Sequence, residues 1–597
     1  MRHRHELPFG AEPLADGVRF RLWAPHAETV AVRLAGADRP PLPLGREADG
    51  WFSLTTAAAA VGSRYCYEID GREFPDPASR HQPEGVHGPS EVIDPGHYAW
   101  REIGWRGRRW EEIVLYELHL GTFSETGDCG GAVRHLDHIR DLGATGVELM
   151  PVAEFPGGRN WGYDGVSLFA PSARYGRPQA LKRLVEACHE RGLAILLDVV
   201  YNHFGPEGNY LPAIAADFFD SRRQTPWGAA IDFAGPYSRE VRRFFIENAL
   251  YWLEEFQFDG LRLDAVHAID DDSTPDIVDE IGQMVRRRIL GREIHLVLEN
   301  DRNEARRLAR RGGRADHFTA QWNDDLHHAL HVLITGETSG YYRDYAAAPA
   351  ALLGRALAEG FAYQGEPSAF RGNRPRGQPS GQLPATAFIG FVQNHDQVGN
   401  HPRGMRLSAR ASGAAVHAGV AIILLSPQIP LVFMGEEWAS TQPFAFFCDF
   451  EPGLAEAVRE GRRREFAHMA EFREAIPDPT ALSTFTMSRL DWREAEEAHH
   501  RSWLLRYRLL LSIRAAEIVP RLADMPPHAG RFTPLGSKAV AVEWRMGDRS
   551  RLNLLANFSD RSIPVAAMSA YGRMIYSSDR PGSAPSATFF IRPAPAS

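Results

Sequence analysis

Cysteine is scarce. Cys66, Cys129, Cys188 and Cys448 are scattered through 597 residues, without the paired spacing of a zinc site or a disulfide framework. That pattern excludes a stapled scaffold and points to a reducing compartment. The chain also lacks an uninterrupted apolar run long enough for a bilayer span, and its start, MRHRHELPFGAEPL, is charged without an apolar h-region. A cytoplasmic location is expected, with no membrane partner. Strong charge is missing too: a net charge of -9 over this length argues against nucleic acid as a partner. A neutral ligand suits the balance better, and no strict internal repeat is visible.

What is present is ordinary globular composition, 44% hydrophobic and 24% charged, in a chain too long for one hydrophobic core. The fold class it predicts is multidomain α/β, in three parts. Residues 1–104 read as a small β-sandwich, because Val18, Phe20 and Leu22 alternate with Arg19 and Arg21, and Val30, Val32 and Leu34 alternate again. The turn-rich PDPASRHQPEGVHGPS marks its end. Residues 516–597 return to alternation at Val540, Val542 and Trp544 and at Leu552, Leu554, Ala556 and Phe558, around a Gly547–Asp548 turn, predicting a C-terminal β-sandwich.

Between them, residues 105–515 alternate short apolar runs with amphipathic helical stretches. This is the pattern of strands buried on both faces and joined by helical crossovers. Eight runs qualify: EIVLYELHLGTF, TGVELMPVAEF, LAILLDVVYNH, GLRLDAV, EIHLVLEN, HFTAQWND, ATAFIGFVQNHD and IPLVFMGEEW. Eight is the number a (β/α)8 barrel requires, and such a barrel carries its active site at the C-terminal ends of its strands. One helix is predicted at PQALKRLVEACHERG, where Leu181, Leu184, Val185 and Cys188 share a face and Gly192 can end it. AVHAGVAIILLSPQIPLVFMG reads as a buried helix followed by a buried strand. The Gly, Pro and Arg-rich YQGEPSAFRGNRPRGQPSGQLP is either a mobile excursion or a loop that covers substrate.

Four candidate strand ends present acids or imidazoles: Asp198, Asn202 and His203; Arg262 and Asp264; Glu299; His395 and Asp396. Any one alone reads as a satisfied carboxylate closing a strand. Together, at successive barrel strands, they converge. Three carboxylates in one pocket suit glycosidic cleavage, whose oxocarbenium-like transition state needs a nucleophile, a proton donor and nearby negative charge. Arg262, two positions before Asp264, shares its face of the strand and favours the ionised aspartate. Glu299 follows the apolar HLVL, an approach suited to a group that must hold a proton.

LLDVVYNH, GLRLDAVH, LVLEND and FVQNHD resemble the four ordered signature regions of the α-amylase superfamily of retaining α-glucan enzymes. The resemblance implies that Asp264 is the nucleophile, Glu299 the general acid/base and Asp396 the transition-state stabiliser. Asp198, His203, Arg262, His395 and the adjoining Gln397 then surround the sugar next to the cleaved bond. In NWGYDGV it implies that Tyr163 stacks on that sugar, with Trp161 on the same loop platform. His267 and Ala268 stand where amylases commonly carry a lysine–histidine pair. Asn202 matches a calcium ligand of many amylases, but no aspartate-rich insertion follows it. Neither metal nor cofactor is expected.

The order sandwich, barrel, sandwich resembles the branching and debranching group. PVAEFPGGRNWGYDGV, NHFGPEGNYL, QWNDDLHHALHVLITGE, GYYRDY and MGEEWASTQPFAFFCDFE are similar to the trehalohydrolases that act on maltooligosyltrehalose. That resemblance implies cleavage of the α-1,4 bond next to a terminal trehalose, with Asp324, His327 and His328 holding the trehalose end. Trehalose is then the product, and a maltooligosyltrehalose synthase the functional partner that supplies substrate. One alternative is a glucan branching enzyme, although LENDRN lacks the paired acid and serine usual after that enzyme's general acid. Another is a non-catalytic glucan-binding protein, which predicts loss of a triad member; here all three are present.

Overall fold

A computed structural model describes residues 3–36, 39–101, 104–225, 228–465, 476–564 and 571–594. All eight apolar runs become parallel strands of one closed barrel: β1 (Leu115–Leu118), β2 (Gly146–Leu149), β3 (Ala194–Val199), β4 (Gly260–Leu263), β5 (His295–Leu298), β6 (Ala320–Trp322), β7 (Phe388–Gly390) and β8 (Ile429–Phe433), with β8 pairing back to β1. Every residue of these strands is buried, which is why they read as continuous apolar runs. Leu115, Ala194, Leu196, Val297, Ala320, Ile389 and Leu431 fill the barrel interior.

The crossovers are helical where the sequence carries a 3.6-residue period. α1 (Cys129–Leu142), α2 (Pro178–Glu190), α3 (Ser238–Glu254) and α4 (Ile277–Arg288) follow the first four strands. In α2 the expected face of Leu181, Leu184, Val185 and Cys188 is buried. Pro178 opens this helix and Gly192, at φ +71°, follows its end. The β5-to-β6 crossover departs from the expected pattern, carrying only a 3-10 turn at Ala305–Leu308 and a two-residue hairpin. α5 (Asp324–Thr335) and α6 (Pro349–Glu359) follow β6, and α7 (Gly413–Leu425) precedes β8.

The N-terminal part forms two antiparallel sheets, one built on Gly17–Trp23 and Trp51–Thr56, the other on Val30–Leu34 and Arg64–Ile69. Phe20 meets Tyr65 between them, ring centroids 4.8 Å apart. The module docks on the barrel through Phe9, packed on Phe169 and Phe244, and through buried His5, held between Glu247 and Glu254 of α3.

The C-terminal part is all-β, but its described strands lie in one antiparallel sheet rather than two. The order is β9 (Gly530–Gly536), β10 (Ala539–Arg545), β11 (Arg551–Asn557), β13 (Ser586–Arg592), β12 (Arg573–Ser577). Helices α6 and α7 supply the opposing layer, α6 against β9 and β10 and α7 against β11 and β13. This explains why α7 is apolar all round, since it covers both barrel and sheet. Among the described residues no helix is long and apolar enough to cross a membrane.

Candidate active site

The side chains singled out at the ends of β3, β4 and β5 meet on one guanidinium. Arg262 Nη1 donates to Asp198 Oδ2 at 2.7 Å and to Asp264 Oδ1 at 2.8 Å, while Nη2 donates to Glu299 Oε2 at 2.6 Å. Arg262 is fully buried, its guanidinium 4.2 Å from the Trp322 ring centroid. A buried cation with three carboxylate partners is compensated, and it holds them at fixed mutual positions. Asn202 Nδ2 donates to Asp264 Oδ2 at 2.7 Å and to its backbone oxygen at 3.0 Å, so this asparagine braces the candidate nucleophile. His203 bonds Asn202 Oδ1 and the Tyr163 carbonyl.

Glu299 is not in the apolar surroundings that HLVL predicted. Its Oε2 accepts from Arg262 and, at 2.9 Å, from the Ala265 amide. Ala265 takes a left-handed φ of 39°, a conformation costly for a residue with a Cβ, and that turn aims its N–H at Glu299. The turn therefore ties the residue after the candidate nucleophile to the candidate acid/base.

On the opposite side Tyr163, half-buried, donates its hydroxyl to Asp198 Oδ2 at 2.6 Å. Its oxygen lies 2.9 Å from His395 Nε2, and the two rings stack at 5.2 Å. Asn394 caps the short helix His395–Gly399, accepting from the Gln397 amide. Asp396 in the first turn is a third exposed and 3.5 Å from His395 Nε2. Gln397 Oε1 takes the Tyr341 and Tyr342 hydroxyls at 3.4 and 3.5 Å. Burial pushes Asp198 up to about 7 against the pull of Arg262. Burial opposes a charge on His395, but Asp396 and Glu117 overcome it and raise the imidazole to about 9.

Other expected contacts are corrected. Trp161 is only 3% exposed; its indole lies edge-on to His395, stacks on Phe444 and donates to the Ala445 carbonyl, so it packs the site's wall and is no sugar platform. Directly after β6, Asn323 caps α5, accepting from the Leu326 amide, and the two histidines lie on that helix. His327 and His328, 1% and 9% exposed, pack among Tyr341, Tyr342, Tyr345 and Phe391 instead of facing substrate space. Asp324, half-buried at the start of α5, lies near Glu299, Asp301 and Asp396; burial and those charges hold its carboxyl well above the usual range. His267, half-buried, accepts from the Asp301 amide at 3.2 Å.

The long Gly, Pro and Arg segment is latched over this face. Arg371 Nε donates to Asp301 Oδ2 at 3.0 Å, and Arg376 bonds the Asp301 carbonyl at 2.9 Å, Tyr345 at 2.9 Å and Asp325. Phe370, exposed at the tip, meets Tyr341 edge-on at 6.1 Å.

Two acids escaped the sequence reading, Glu117 on β1 and Glu148 on β2, register partners on neighbouring strands. Both sit inside apolar runs, and the period-2 alternation of YELHL and VELMP was the available signal that they face the barrel axis. Glu148 is 1% exposed with both carboxyl oxygens unbonded; burial and the Glu117 charge hold its carboxyl well above the usual range. Among the described residues, no group of three or more His, Cys, Asp or Glu could hold a metal ion.

Comparison with known proteins places this arrangement. Residues 111–224 match the alpha amylase catalytic domain, residues 8–95 carbohydrate-binding module 48 (isoamylase N-terminal domain), and residues 527–597 a domain of unknown function. The malto-oligosyltrehalose trehalohydrolase of Arthrobacter ramosus is 42% identical over 503 residues, covering 83% of this chain and 87% of that protein. The enzyme of the same name from Saccharolobus solfataricus is 40% identical over 510 residues, 85% and 87% of the two chains. A Salmonella typhimurium crystal structure is 44% identical with a TM-score of 0.92, covering 98% of this chain and 99% of its own. The chain belongs to the malto-oligosyltrehalose trehalohydrolase family, built on an alpha amylase catalytic domain.

Proposed function

We propose that this protein hydrolyses the α-1,4-glucosidic bond next to the terminal trehalose of maltooligosyltrehalose, releasing trehalose and a maltooligosaccharide. The observation that carries the chemistry is the Arg262 guanidinium shared by Asp198, Asp264 and Glu299 at the C-terminal ends of adjacent barrel strands; family membership carries the substrate.

In this reading Asp264 attacks the anomeric carbon of the donor glucosyl unit as Glu299 gives its proton to the glycosidic oxygen, and trehalose leaves. The ester on Asp264 is then cleaved by water, which returns a proton to Glu299, with net retention. Asp396, open to solvent beside His395, stabilises the positive charge that develops on the sugar ring. Asp198, His203, Arg262 and His395 hold the aspartates and Tyr163 in place, Tyr163 offers its ring to the reacting sugar, and Asp324, His267 and Gln397 line the leaving-group side. A synthase that attaches the trehalose terminus supplies the substrate, and both act in the cytoplasm.

The test is product analysis of the purified protein with maltotriosyltrehalose and with amylose. Trehalose from the first and little change in the second fits this reading; new α-1,6 branch points in amylose would assign the same residues to glucan branching.

A further inference from the structure

Glu117, fully buried on β1, spends both carboxyl oxygens on one residue. Oε1 lies 2.5 Å from His395 Nδ1, and Oε2 accepts the His395 backbone amide at 3.0 Å. The far edge of the same imidazole faces Tyr163, whose own proton is committed: its hydroxyl donates to Asp198 Oδ2 at 2.6 Å, and that oxygen already accepts from Arg262 at 2.7 Å. Tyr163 oxygen can then only accept, so His395 Nε2 must carry a hydrogen. With Nδ1 facing a carboxylate and Nε2 facing an acceptor, both ring nitrogens donate, and the ring is an imidazolium.

We propose that Glu117 is a positioning residue for the hydrolysis: it clamps His395 as a cation, and that cation fixes Asp396 and the Tyr163 ring around the reacting sugar. The inference rests on the functional reading above for its reaction, but on Glu117, His395, Tyr163 and Asp198 alone for its geometry. The remaining groups around the ring are consistent with the assignment. Asp396 approaches Nε2 at 3.5 Å. Arg262 on β4 opposes the charge but is outweighed by Asp396 and Glu117, His119 beyond β1 is pushed down to about 4 by burial and brings no competing charge at neutral pH, and burial with the Glu117 charge holds the Glu148 carboxyl on β2 well above the usual range. Trp161 and Trp322 close the faces the charged groups leave, with ring centroids 5.4 and 5.9 Å away. The raised titration of His395, near 9, agrees with the hydrogen-bond count.

Function follows from the sign. An imidazolium beside Asp396 attracts and orients that carboxylate, and it keeps the Tyr163 hydroxyl turned toward Asp198 rather than toward the sugar. Loss of the Glu117 charge lets His395 become neutral within the working pH range. One of its two N–H bonds is then lost, and Asp396 and Tyr163 loosen together.

The experiment is a pH profile of trehalose release by wild type and Glu117→Gln, with nitrogen-15 spectra of the histidine rings in the wild-type protein assigned through His395→Asn. Wild type should lose activity on the alkaline side near pH 9. In Glu117→Gln that limb should move down toward the ordinary histidine value of about 6.5, with kcat lowered on the order of 10- to 100-fold, the scale for removing a carboxylate that orients a functional histidine, and KM changed less. Both His395 ring nitrogens should be protonated at pH 8. An active Glu117→Gln protein with an unshifted limb would overturn the clamp, as would a neutral His395 tautomer at pH 7 in wild type. The spectra decide even where the variant fails to fold. Failure of wild type to release trehalose strikes the functional reading instead, and leaves the ring's protonation to the spectra.

Discussion

Arg262 carries one positive charge among Asp198, Asp264 and Glu299, and its position answers why a barrel strand would bury a guanidinium. Removing the charge of any one partner leaves the other two paired, whereas removing Arg262 would strand buried carboxylates. Asp264→Asn should therefore fold, with circular dichroism and melting close to wild type, and lose turnover by about 10^3-fold or more; turnover within tenfold of wild type would remove Asp264 from the nucleophile's role. Arg262 and Asp264 were legible from the sequence because a two-residue spacing on a strand puts both side chains on one face. Glu117 was not, because its partner His395 is 278 residues away and its neighbours are apolar. His327, His328 and Trp161 show the converse: the resemblance suggested sugar contact, and only the packing reveals that their rings are buried among aromatic side chains inside the wall.

At the scale of elements, the eight strands were readable because burial on both faces leaves an unbroken apolar run. The missing helix between β5 and β6 was not, since nothing requires each crossover to be helical when a short chain can span the distance. The segment from Tyr363 to Pro384 could be read only as two alternatives, because what decides between them is a contact with Asp301, 70 residues upstream of Arg371. In the structure Arg371 and Arg376 fasten it two residues beyond Glu299. Asp301→Ala should free Arg371 and loosen the latch, while Arg376 keeps its bonds to the backbone carbonyl there, to Tyr345 and to Asp325. Loss of about 1–2 kcal/mol of ordering predicts a KM for maltotriosyltrehalose raised roughly 5- to 30-fold, with kcat moved less. Unchanged KM, together with unchanged protease sensitivity of the segment, would mean that the loop holds its place without the aspartate.

At the scale of the whole molecule, the terminal modules depend on the barrel for part of their own burial. The C-terminal sheet has α6 and α7 as its second layer, which is why alternation in its strands suggested a sandwich: the pattern records one buried face and says nothing of what covers it. The N-terminal module is pinned by His5, with Nδ1 2.7 Å from Glu254 and Nε2 2.9 Å from Glu247. Burial lowers the readiness of His5 to charge, but the hydrogen bonds it donates to both glutamates, with their charge, win and its folded value is raised above 6.5. The resulting stability is fully present below the unfolded value and is lost as pH rises through the folded one. His5→Gln should thus lower the melting temperature at pH 6, by the equivalent of about 1–3 kcal/mol, and matter less at pH 9. An equal loss at both pH values would show that packing, not charge, holds the module. The central claim, that this assembly releases trehalose by hydrolysis, is tested most directly by chromatography of products from maltotriosyltrehalose and from amylose. The account predicts rapid trehalose release from the first with amylose little changed; branch points in amylose without trehalose from the first would contradict it.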